Sequence, residues 1–167
     1  MHDGPIDTPV TKHTPETGDA TEALERSPIA EGLARIGVAI GAQRTELYQH
    51  TTGGAELVGW WAALGFEVPP PSAAGAIPLN WFPWTLGNIR QAHHVFVRNA
   101  GPLPLCPGSP ERIRNLRMGS SLHLPITDHG VALGAVCAYW STERDDWSAH
   151  QTQSLAELAR GLLGDLD

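Results

Sequence analysis

Residues 118–163, MGSSLHLPITDHGVALGAVCAYWSTERDDWSAHQTQSLAELARGLL, decide the fold. "SSLHLPI" and "VALGAVCAYWS" read as strands, and "TDHG" between them supplies turn residues, so the pair predicts an antiparallel hairpin. Ser148 is followed three residues on by Gln151, a capping box that opens a helix. That helix carries Leu155, Leu158, Leu162 and Leu166 on one side, so it has a face to bury.

The start of the chain offers the same kinds of signal. Asp19 with Glu22 resembles a capping box, and Ser27-Pro28 places a cap residue before a proline at the first helical position. Ile29, Leu33, Ile36 and Ile40 then form one stripe, while Gly32, Gly37 and Gly41 thin the helix surface for close packing. "RTELYQHT" and "AELVGWWAALGF", joined by "TGG", predict a second hairpin, in which Trp60 and Trp61 point to opposite faces.

The middle is punctuated by prolines and glycines. "EVPPPSAAGA" reads as a loop leading to a short "AIPL" strand, followed by "NWFPW", where Pro83 starts a helix. "HHVFVRN" (93–99) reads as a strand and "AGPLPLCPGSP" as a loop; Ser109-Pro110 then caps a short basic helix that ends at Gly119. Residues 1–18 lack apolar periodicity and read as a flexible arm.

The 167 residues, 41% of them hydrophobic, suit one domain, assigned to 19–167. Helix, two strands, a middle strand, a short helix, two strands and a helix imply a mixed α+β fold, with the terminal helices together on one sheet face. The net charge is −7, with no run of basic residues, which argues against nucleic-acid binding. No stretch is long and apolar enough for a membrane span and the N-terminus lacks a signal-peptide pattern, so a soluble, cytoplasmic protein is expected. Two cysteines, Cys106 and Cys137, are too few for a disulfide framework or a cysteine-rich zinc site.

From about residue 20 onward the chain resembles a GAF domain of the bacterial small-molecule sensor type. The marks are Ser120, Ser121, Pro125, Gly130, Gly134 and Ser148 in the closing segment, with a looser match at Phe82-Pro83-Trp84, Leu103-Pro104 and the arginine-bearing helix. The resemblance implies an antiparallel sheet of five or six strands. The N- and C-terminal helices would pack on one face, and lid helices and loops would enclose a ligand cavity on the other. It does not imply a particular ligand, since this fold hosts nucleotides, haem, bilins, small anions and empty sites.

The expected ligand-binding residues are Trp81, Trp84, His94, Phe96, Arg112, Ser121 and His123. Trp81, Phe82 and Trp84 would either stack on a planar ligand or plug the cavity as core. His93 and His94 are adjacent on the predicted strand and cannot share one pocket; His94, on the face of Phe96 and Arg98, would meet His123 there. Converging histidines suit haem, a metal or an anion, whereas isolated strand histidines are usually satisfied polar groups. Arg112 stands for an anion contact, against a solvated helix face formed by Arg112, Arg114 and Arg117.

No catalytic residue and no metal ligand is assigned. Ser148, near Asp145 and His150, is accounted for by capping, and no nucleophile elbow is present. The expected function is a non-catalytic regulatory or sensory module that stands alone. It would bind an unidentified small molecule and signal through a separate protein partner or a homodimer, with the stripes at 29–40 and 155–166 forming a helical bundle. The alternatives are a ligand-free interaction domain with an aromatic-filled cavity, a haem or redox sensor, and a thiol-dependent sulfoxide reductase using Cys106 or Cys137.

Overall fold

The computed structural model describes residues 27–52, 54–66, 88–89, 91, 93–99 and 119–163. Its elements are α1 (Pro28–Ile40), β1 (Arg44–Thr51), β2 (Gly54–Ala62), β3 (Val95–Val97), β4 (Ser120–Asp128), β5 (Val131–Trp140) and α2 (Ala149–Leu163). The arm, the Asp19 capping box, the "AIPL" and "NWFPW" segments, Cys106 and the basic helix lie outside the described residues.

Helix α1 begins and ends for local reasons. Ser27 is extended and its Oγ accepts from Ala30 N–H at 3.1 Å, with Pro28 behind it where no N–H is needed. Gly41 turns left-handed at φ +66°, and Ala42 N–H reaches back to Gly37 O at 2.9 Å. The last carbonyl, Ile40 O, accepts from Trp140 Nε1 at 3.4 Å and Arg144 Nη1 at 3.2 Å, which ties the helix end to the sheet.

The five strands form one antiparallel sheet in the order β2-β1-β5-β4-β3. Strand alternation divides it into two faces. Leu47, Leu122, Leu124, Ile126, Val136, Ala138 and Trp140 form one core with Ile29, Leu33 and Ile36 of α1 and Leu155, Ala159 and Leu162 of α2. Both terminal helices therefore lie on one face, and Thr45 Oγ1 pins α1 to it by donating to Leu33 O at 2.9 Å.

Close approach of helix to sheet depends on small residues. A Cβ on Gly37 would collide with the Trp61 ring, and one on Gly59 would stand 2.7 Å from Ile29. Trp61 is thus on the helix side, while Trp60 takes the opposite face beside Arg44, as strand alternation requires.

Three sequence expectations change. The "HHVFVRN" strand shrinks to Val95–Val97. Its next pairing would set His93 against Pro125, which has no N–H to donate, and His93 N–H bonds Asn88 O at 2.8 Å instead. Leu158 is 54% exposed, and Ala159 fills the buried position between Leu155 and Leu162. The stripes assigned to a homodimer bundle are largely used inside the chain, against its own sheet.

Candidate ligand-binding face

The face turned away from the helices is buried, yet polar. Period-two alternation in β1 brings Arg44, Glu46 and Tyr48 to it; register adds Trp60 opposite Glu46, Tyr139 opposite Arg44 and Cys137 opposite Glu46. Strand β4 adds Ser121 and His123, paired with Tyr139 and Cys137. All eight side chains are buried.

Glu46 is the hub. Oε2 accepts from Tyr48 OH at 2.8 Å and Tyr139 OH at 2.9 Å, while Oε1 meets Arg44 Nη2 as an ion pair rather than as an aligned hydrogen bond. A buried carboxylate needs this many partners to offset its desolvation. Burial, followed by the nearby charges of Cys137, Glu46 and Tyr48, pushes the Tyr139 phenol well above its usual range, so it stays a donor. The Arg44 guanidinium also lies over the Trp60 ring, 5.6 Å from its centre.

A second group adjoins the first. His123 Nε2 stands 3.1 Å from Ser121 Oγ, and its Nδ1 stands 3.3 Å from Cys137 Sγ. Burial lowers the His123 pKa to about 4, against a smaller opposing pull from Glu46, so the imidazole is neutral at pH 7. Burial and then Glu46 push the Cys137 thiol up, so it stays protonated and is a poor nucleophile. Ser148 is engaged in its cap: its Oγ accepts from Gln151 N–H at 3.2 Å, and its own N–H donates to Gln151 Oε1 at 3.0 Å.

The expected site residues divide. Ser121 and His123 are on this face. Phe96 is not: it pairs with Leu122 and therefore faces the helices, stacked on Trp147 at 6.3 Å and edge-on to Trp140 at 6.4 Å. His94 is exposed and lines a groove of about 160 Å³ with Leu124, Ile126, Thr152, Ala156 and Arg160, on the helix side. The sheet thus separates His94 from His123, and the expected meeting of the two histidines is not formed. Trp81, Trp84 and Arg112 lie outside the described residues. Among the described residues no group of three or more His, Cys, Asp and Glu is placed to hold a metal ion.

Sequence reasoning missed Arg44, Glu46, Tyr48, Trp60 and Tyr139. The available signal was Arg-x-Glu-x-Tyr at period two within a strand whose alternate positions, Thr45 and Leu47, are core.

No protein-family model matches the chain, and no curated protein matches it. Solved structures do. The blue-light-absorbing form of the PixJ GAF domain of Thermosynechococcus elongatus aligns at TM-score 0.66 and 14% identity, over 92% of this chain and 89% of that one. The green-light-absorbing state of the red/green cyanobacteriochrome NpR6012g4 aligns at TM-score 0.63 and 16% identity, over 81% and 92%. The chromophore-binding domain of the bacteriophytochrome RpBphP3 from R. palustris aligns at TM-score 0.62 and 12% identity, over 90% of this chain and 60% of that one. Strand order, paired terminal helices and these alignments agree: the chain has the GAF fold.

Proposed function

We propose that the protein is a non-catalytic sensory or regulatory GAF module that takes up a small molecule on the sheet face away from its helices. One observation carries this reading: the two faces are both buried, but the helix-covered face is built mainly of apolar side chains, whereas the other presents Arg44, Glu46, Tyr48, Ser121, His123 and Tyr139. A face needed only for packing gains nothing from burying a guanidinium and a carboxylate, since apolar residues of similar volume stabilise a core at least as well.

The neighbours named for their light-absorbing states and as a chromophore-binding domain support a sensory role, and they make a planar organic chromophore one ligand class to try. Haem on His123 is disfavoured, because both ring nitrogens already face Ser121 and Cys137 and would have to release them. A thiol reductase is disfavoured by the protonated, strand-bound Cys137.

Ligand uptake would shift the balance between conformations of the elements around the face, with the terminal helices passing the change to a protein partner or a second copy. Helix-mediated pairing falls to Val38, 72% exposed, and Leu158, since the principal apolar stripes are spent on the sheet. No helix among the described residues is long and apolar enough to cross a membrane, and the proposal places the module in the cytoplasm.

Thermal unfolding of the purified chain against a panel of metabolites, haem and linear tetrapyrroles tests the reading. A saturable rise in melting temperature that is lost in Arg44→Met is expected. A rise that survives Arg44→Met, or no rise with any compound, would count against it.

A further inference from the structure

Four N–H donor directions on this face have nothing to bind. Among the described residues, Arg44 Nε, Arg44 Nη1 and Trp60 Nε1 are buried without a hydrogen-bond partner. Arg44 is only 2% exposed, so water does not serve these groups from bulk solvent. A buried donor left unmade carries its full desolvation penalty, which is why such groups are rare in finished cores. The unmade donors adjoin one another, because the guanidinium lies over the indole that bears the third nitrogen.

The charge is already balanced. The single positive charge of Arg44 is opposed by Glu46, whose carboxylate also takes the hydroxyls of Tyr48 and Tyr139. An incoming anion would bring a second negative charge beside Glu46 in a site of low dielectric, and no further described cation faces it there. A neutral acceptor meets the donors without that cost.

We infer that this face selects an uncharged ligand bearing carbonyl oxygens, of lactam, amide or imide type, which accept from Trp60 Nε1 and from the Arg44 nitrogens not used by Glu46. The inference rests on the ligand-binding reading above and adds the chemical class of the ligand. Glu46 is then the specificity residue: it holds Arg44 in place while cancelling the charge that would otherwise draw anions.

The test is a 1H–15N titration of the labelled full chain, read at the Trp60 indole N–H and the Arg44 Nε–H, with assignments from Trp60→Phe and Arg44→Lys. The probes are succinimide and 2-pyrrolidone as neutral carbonyl compounds, and acetate and inorganic phosphate as anions. Both resonances should move saturably with the neutral probes and stay in place with the anions. Trp60→Phe keeps an aromatic side chain and removes one donor, so it should weaken succinimide binding about fivefold. Glu46→Gln, which keeps acceptors for the two tyrosines, should admit acetate.

Saturable movement with acetate or phosphate in the wild type overturns the inference. So does a neutral-probe response confined to Ser121 and His123, which leaves the proposed sensory function standing. If no probe moves any resonance of the face and the thermal panel is also silent, both fail together.

Discussion

At the scale of single residues, His123 converts burial into pH dependence. In the folded chain its pKa is lowered to about 4 from 6.5, so the unfolded chain takes up the proton first. This contribution to stability is complete above pH 6.5 and is lost as the pH falls toward 4, about 3 kcal/mol in all at ~1.4 kcal/mol per unit. Denaturant unfolding of wild type and His123→Gln at a series of pH values checks it: the difference between their slopes should be confined to that window. Cys137 gives a second outcome, since burial holds its thiol protonated. Iodoacetamide should leave Cys137 unmodified in the native protein and alkylate it after denaturation, read by peptide mass spectrometry. Gly134 is held by its neighbour's backbone, because a Cβ there would meet the carbonyl oxygen of Tyr48. Gly134→Ala should cost roughly 1–3 kcal/mol by chemical denaturation, as other overpacking substitutions do.

Elements were the legible part of this sequence. The Ser148–Gln151 box, the Ser27-Pro28 start and the Asp128–Val131 turn are local signals, and each is satisfied by contacts within a few residues. Ser27→Ala should therefore lower stability by about 1 kcal/mol, and Leu33→Ala, fully buried on the sheet-facing side of α1, by about 2–5 kcal/mol. Chemical denaturation separates the two, since a cap loss and a core cavity differ in size. The end of β3 was harder, because it depends on Pro125 of a different strand lacking the N–H that pairing would need. Leu158 misled for a related reason: a leucine repeat marks a helix face, but whether position 158 or 159 meets the sheet is set by how α2 is rotated on it.

For the whole molecule, strand register decides what the site is made of. Sequence order placed the terminal helices together on one sheet face and the family resemblance implied five or six strands; the structure has both helices on one face of a five-stranded sheet. Which side chains share the polar face was not legible, because that depends on the exact register within each hairpin, Glu46 with Trp60 and His123 with Cys137, and on the pairing of β1 with the distant β5, Arg44 with Tyr139. The same pairing sends Phe96 to the helix side by opposing it to Leu122. Two of the expected contacts, Ser121 and His123, reach the polar face, and the Arg44–Glu46–Trp60 group that dominates it came from a strand read only as half of a hairpin.

The polar face, as we propose, holds a small molecule. Native mass spectrometry of the gently purified 17.9 kDa chain tests this most directly, with Arg44→Met run beside the wild type. The wild type should carry an excess mass that is released on denaturation and absent from the folded variant. A bare wild-type mass, together with unchanged melting temperature across the ligand panel, would contradict it.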